Sequence, residues 1–414
     1  MTDLAWIDAA LNSARPRSIA ALLRYFRDLD MAEEAYQEAC LRALARWPEQ
    51  GPPRDPAAWL ILVGRNSGID AVRKAGRTRS LPPEDELSDL DDAEARLADR
   101  LDEGHYRDDI LRLLFVCCPP DLPATAAIAL ALRIISGLTV PQIARAFLVG
   151  EKAMEQRITR AKARIAISGV PFETPGALER SERLGAVAAM VYLIFNEGYS
   201  ASGAEAGARE PLCREALRLG RLLLRLFPWE PEIMALLALM LLQHARSAAR
   251  LDPDGQVVLL EDQDRARWDS EAIAEGLALL DKAMRHHRPG PYQVQAAIAA
   301  LHARAKSATD TDWGQIERLY ATLEAMQPSP VITLNRAVAV AKLSGPQAAL
   351  DMIAPLETRL DGYFYYHGAR GTFLDQLGRA EEARAAFGRA IGLAGSAAEA
   401  GYIRQQLDRL AAQH

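Results

Sequence analysis

Apolar residues recur at intervals of three and four along almost the whole chain, and alternating runs of β-branched residues are missing. That interval keeps one face of a helix dry, so the pattern predicts an all-α protein. Ala and Leu dominate the periodic stretches, and both enter helices at little cost. Pro and Gly cluster at 48–56, 119–123, 169–176, 203–211, 252–255, 288–291 and 327–330, where the pattern predicts breaks. The longest apolar runs, Leu184 to Phe195 and Ile233 to Leu242, fall short of the roughly 18 residues a bilayer span needs, so no membrane partner is expected.

Charge divides the first part of the chain. Between Arg65 and Arg79 five basic residues stand against one acid, and between Glu84 and Glu103 ten acids stand against two arginines. A dense acidic run after a basic helix reads as a solvated linker. The expected layout is a helical domain at 1–78, a linker at 79–106, a second small domain at 107–168 and another linker at 169–182. The formal net charge of −6 over 414 residues excludes a uniformly basic nucleic-acid binder, but it permits local basic patches.

Two such patches stand out. A helix from Pro56 to Lys74, with Asp55 as N-cap and Pro56 in its first turn, can turn Leu62, Ile69 and Val72 inward. Arg65, Asn66, Arg73 and Lys74 then project elsewhere, as residues suited to phosphate and base edges, and Trp59 offers a flat face to an unstacked base. A merely solvated amphipathic face has the same spacing. Farther on, Thr139 and Gln142 form a capping box for a short helix, and Val149-Gly150 turns the chain. In the next helix Met154, Ile158, Ala161 and Ile165 make one buried stripe. Lys152, Gln156 and Arg160 lie opposite, with Arg157 and Arg164 alongside. Short helix, turn and helix with a basic outer face is the pattern of a helix-turn-helix, and a plain helical hairpin shares it.

Together these segments resemble a family. Ala32-Glu33-Glu34 with Gln37-Glu38 resembles the polymerase-binding helix of bacterial sigma factors of the extracytoplasmic-function type. Trp59-Leu60, Arg65-Asn66, Asp70 and Arg73-Lys74 resemble the promoter-melting helix of the same domain. Thr139 through Ile165 resembles the family's second DNA-reading domain. The resemblance implies two small helical sigma domains, the second a helix-turn-helix, with core RNA polymerase and promoter DNA as partners. Glu33, Glu34, Gln37, Glu38 and Arg42 would dock on the polymerase, and Trp59, Arg65, Asn66, Arg73 and Lys74 would hold the melted −10 strand. Lys152, Gln156, Arg157 and Arg160 would enter the −35 major groove of the duplex. The acidic linker would act either as a tether or as an imitation of a nucleic-acid strand.

The remainder is expected to be a large helical extension, 183–290 followed by repeats over 291–414. Ala303, Ala337 and Gly371 lie 34 apart, as do Leu319, Ile353 and Phe387, which is the period of tetratricopeptide repeats. Helical hairpins spaced by chance would give the same register. Tyr192 to Tyr199 and Leu260 to Asp269 resemble stretches of the sigma subgroup with such an extension, and the repeats are expected to contact a protein or the chain's own N-terminal half. A rival reading is a one-component helix-turn-helix regulator with a repeat sensor. Asp262-Gln263-Asp264-Arg265 is expected to form a salt-bridge network anchoring Trp268 rather than a ligand or metal site.

No paired base, phosphate loop or metal cluster supports an enzyme, so no catalytic residue, cofactor or metal is expected. Cys40, Cys117, Cys118 and Cys213 make no CxxC pair. With no basic and then apolar leader at Met1, they fit a cytoplasmic protein.

Overall fold

A computed structural model describes residues 5–51, 53–74, 110, 113–117, 122–147, 149–168, 177–199, 206–253, 255, 257–395 and 397–412. These residues form α-helices and short 3-10 turns, with no strand among them. The fold class is all-α. The chain divides into two compact units, Met1–Leu193 and Ile194–His414. The division falls inside a helix, and residues 169–176 of the expected 169–182 linker lie outside the described residues. The expected acidic linker, 79–106, lies outside the described residues.

In the first unit α1 (Ala5–Phe26), α2 (Leu29–Gln50) and α3 (Pro56–Lys74) pack against one another pairwise. Asp28 starts α2 by accepting from the backbone N–H groups of Asp30 and Met31 at 3.0 and 3.1 Å. From there Ala32, Tyr36, Ala39, Ala43 and Trp47 follow at helical spacing as one buried stripe. Pro48 does not end this helix as the sequence pattern implies: it lies inside the last turn, and Gly51 closes the helix at φ 80°. Asp55 caps α3 through Ala57 and Ala58, as the sequence predicts.

The small residues of α3 set how closely these helices approach. A Cβ on Gly64 would lie 2.9 Å from the Ala35 carbonyl oxygen of α2, a backbone atom that cannot swing aside. Gly64→Ala should therefore cost about 1–3 kcal/mol through overpacking, read as a lower midpoint of thermal unfolding. An unchanged midpoint would mean that α2 and α3 slide apart freely.

Farther along the first unit, α4 (Ala124–Ile134), α5 (Val140–Ala146) and α6 (Glu151–Ser168) form a second cluster. Thr139 and Gln142 make the reciprocal capping box at the start of α5. Met154, Ile158, Ala161 and Ile165 are buried, as their spacing predicts. α7 (Ala177–Tyr199) contains the division between units.

The second unit is built around α9 (Pro231–His244), which is buried from Pro231 to Leu242 apart from Glu232. A helix apolar on all sides is stable in water only when wrapped. α8 (Ala206–Leu226), α10 (Ser270–Met284) and α11 (Pro291–Arg304) do the wrapping. Beyond them come α12 (Trp313–Met326), α13 (Pro330–Ser344), α14 (Pro346–Ile353), α15 (Glu357–Leu360), α16 (Phe364–Gln376), α17 (Ala380–Leu393) and α18 (Ala397–Ala412). Apart from the single turn of α15, each packs on its neighbours in chain order. The 34-residue register has a packing basis in its later copies: a Cβ on Gly371 would meet the Phe387 ring at 2.6 Å, and Ala337 and Ile353 share one core. No described helix is long and apolar enough to cross a membrane.

Candidate functional site

The residues expected to dock on a partner share α2 but not one face. Glu34, Gln37 and Arg42 are exposed and Glu38 is half-buried; Arg42 donates to Glu38 at 3.1 Å, an i,i+4 pair on the outer surface. Glu33 is not with them. It is 4% exposed and points the other way. Leu41 and Leu44, 63% and 49% exposed, do belong to the outer face, in register with Glu34 and Gln37. Neither leucine carries charge or a motif, yet their position opposite the Ala32–Trp47 stripe follows from helical period alone.

Glu33 sits at the centre of an ion cluster joining the two helical groups of the first unit. Its Oε2 lies 2.7 Å from the Lys162 ammonium of α6, and its Oε1 lies 3.1 Å from Arg133 Nε and 3.7 Å from Arg15. Lys162 also reaches Asp30 at 2.8 Å. Arg15 donates to the carbonyls of Ile134 and Arg133 at 3.0 and 3.1 Å, capping the end of α4 where the helix dipole favours a cation. Its guanidinium lies 4.9 Å from the Tyr36 ring centroid. Burial works against the charge on Lys162, but the Asp30 and Glu33 carboxylates outweigh it and hold its pKa above the ordinary lysine value. These contacts span up to 132 residues, and no local pattern announces them.

The α3 residues are less open than their spacing implies. Trp59 is half-buried, edge-on to Trp47 at 5.3 Å. The Arg65 guanidinium lies 5.1 Å from the Tyr25 ring centroid. Asn66 is half-buried, with its Oδ1 lacking a hydrogen-bond partner among the described residues. The side chains of Arg73 and Lys74 lie outside the description.

On α6, by contrast, Lys152, Gln156 and Arg160 are exposed along one line, and Arg157 is half-buried beside them. Among the described residues no carboxylate stands within ion-pair distance of Lys152 or Arg160. Such a line presents charge and hydrogen-bond donors outward from a rigidly packed base, as groove contacts require.

In the second unit, Trp268 is anchored differently from the expected network. Asp264 caps a 3-10 turn by accepting from Ala266 at 3.0 Å, and the Arg265 guanidinium stacks 4.5 Å over the Trp268 ring. The ion pair in this stretch is Glu261 with Lys342, at 2.7 Å. Among the described residues no group of three or more His, Cys, Asp or Glu is placed to hold a metal ion.

Comparison with known proteins meets this geometry at two places. Residues 11–78, which hold most of α1 and all of α2 and α3, match sigma-70 region 2. Residues 183–284 match a family of unknown function (DUF6596). A Rhizobium meliloti (strain 1021) protein, "Uncharacterized protein R00370", is 69% identical over 413 residues, which cover 100% of this chain and 98% of that protein. No solved structure matches. The chain thus belongs to one family with that Rhizobium protein, and within it residues 11–78 are similar to sigma-70 region 2.

Proposed function

We propose that this protein is a promoter-specificity subunit of bacterial RNA polymerase, of the extracytoplasmic-function kind, acting in the cytoplasm without catalytic chemistry of its own. The observation that carries the reading is the outer face of α2 within the sigma-70 region 2 match. There Leu41 and Leu44 stand exposed among Glu34, Gln37, Glu38 and Arg42. Exposed leucines ringed by charge suit a protein interface, with the apolar pair supplying burial and the charges register.

In this reading α3 holds the melted −10 strand and α5–α6 act as a helix-turn-helix, with Lys152, Gln156, Arg157 and Arg160 toward the −35 groove. The second unit, whose later helices resemble tetratricopeptide repeats, regulates or supports that activity. Glu33 has no docking role here, because its carboxylate is occupied inside the unit.

Run-off transcription with purified core polymerase and genomic templates tests the proposal. Specific starts that vanish in Leu41→Glu are expected, with the helical content of that variant unchanged. A chain that binds duplex DNA yet never joins core polymerase would instead be a one-component regulator.

A further inference from the structure

Tyr199 and the stretch from Leu260 to Asp269, both in the second unit and both within segments that stood out in the sequence, contribute to one cluster of arginines. Arg246 donates to the Tyr199 hydroxyl at 2.8 Å. The Arg250 guanidinium lies 3.8 Å from the centroid of the same ring and donates to the Tyr199 carbonyl. The 3-10 turn Ser247–Ala249 between them packs on the turn Arg265–Arg267. From that second turn Arg265 stacks on Trp268 and donates to the carbonyls of His302 and Ala305, at 2.6 and 3.0 Å.

What sets these arginines apart is the missing counter-charge. The other half-buried arginines of the second unit are Arg209, Arg218, Arg336 and Arg370, and each has a carboxylate within ion-pair distance. Arg246, Arg250 and Arg265 are equally half-buried and have none among the described residues. The remaining arginines of this unit that lack a carboxylate are all exposed, where water screens them. Asp310 acts on Arg265 from beyond ion-pair distance, with its Oδ2 accepting from the Ser307 amide and hydroxyl at 3.0 and 2.8 Å.

Aromatic faces and carbonyl dipoles orient a guanidinium without cancelling its charge, so the positive field of these three arginines is offset by no ion pair among the described residues. Two neighbours respond to it. Burial and then Arg246 hold the Arg265 pKa below its ordinary value. His302 is pushed down to about 4 by burial, with Arg246 and Arg265 adding to the effect. Nearby, Gln263 Oε1 and Trp268 Nε1 are buried without hydrogen-bond partners among the described residues, on side chains from residues 8% and 7% exposed.

We infer that Arg246, Arg250 and Arg265 form a binding site for a small oxyanion, a phosphate or a carboxylate group. A planar guanidinium presents paired N–H donors at the spacing of two such oxygens, and a half-buried position strengthens each charge-assisted bond. The anion supplies a counter-charge that no described carboxylate brings within ion-pair distance of these arginines. The site belongs to the DUF6596 match and its border, and it is independent of whether the first unit binds polymerase.

Thermal unfolding of the full chain tests this, with inorganic phosphate and with succinate, each at an ionic strength matched by chloride. The expected result is a midpoint that climbs with the logarithm of one of these anions beyond the chloride control. A response to phosphate alone assigns a phosphate group, and a response to succinate alone assigns a carboxylate. Arg246→Gln should weaken the response at least tenfold in concentration, while Arg246→Lys, which keeps the charge, should restore part of it and guards against misfolding of the first variant. Equal effects of phosphate, succinate and chloride would overturn the inference, as would an undiminished response in Arg246→Gln that folds normally.

Discussion

Glu33→Ala should cost the first unit about 3–5 kcal/mol, the range for breaking a buried ion pair by removing one partner. The carboxylate stands between Lys162, Arg133 and Arg15, and its side chain is only 6% exposed, so little water can replace it. Its removal leaves three cations facing one another, with Asp30 the remaining acid and bonded to Lys162 alone. Hydrogen exchange of the α2 and α6 amides in the full chain measures the effect, and a loss below about 1 kcal/mol would mean the cluster is screened like a surface pair. Glu33→Gln, which keeps the shape and some hydrogen bonding, should cost less.

The same substitution separates two roles for this residue. If Glu33 were a docking contact, its loss would weaken binding to core polymerase. In the arrangement described here it ties α2 to α6, so its loss should ease their separation and leave core binding equal or tighter. Lys162→Met leaves every outer-face residue of α2 in place and should act in the same direction. Weaker core binding in Glu33→Ala, with Lys162→Met unchanged, would restore the docking role.

The second large effect is expected on α6. Lys152→Ala combined with Arg160→Ala removes two exposed cations from one face without touching the Met154–Ile165 stripe, so helical content should stay constant. Duplex affinity should fall by about 2 kcal/mol or more, roughly thirtyfold, if each contact contributes about 1–3 kcal/mol. The slope of log affinity against log salt should flatten by about two, one for each phosphate-neutralising charge removed. Unchanged affinity and slope would remove α6 from the DNA-reading role.

Local features were legible from the chain alone. The α6 stripe, the Thr139–Gln142 box and the Asp55 cap each involve residues within a few turns of one another, so helical period and capping chemistry determine them. The buried α9 was visible as an apolar run, and the pairing of Gly371 with Phe387 as a register of small and bulky positions. Pro48 misled because α2 runs through it to Gln50, so a proline marks a helix end only to within a turn.

The chain by itself therefore determined the all-α class, the helix faces and the exposed cationic line of α6, because each follows from side-chain spacing on a rigid period. Only the tertiary structure decided that Glu33 is an internal counter-ion and not an outer contact. It also decided that Arg265 caps the end of α11 while forming no ion pair among the described residues. Both outcomes depend on groups brought together across 129 and 37 residues, and electrostatic pairing over such separations leaves no periodic trace in the sequence.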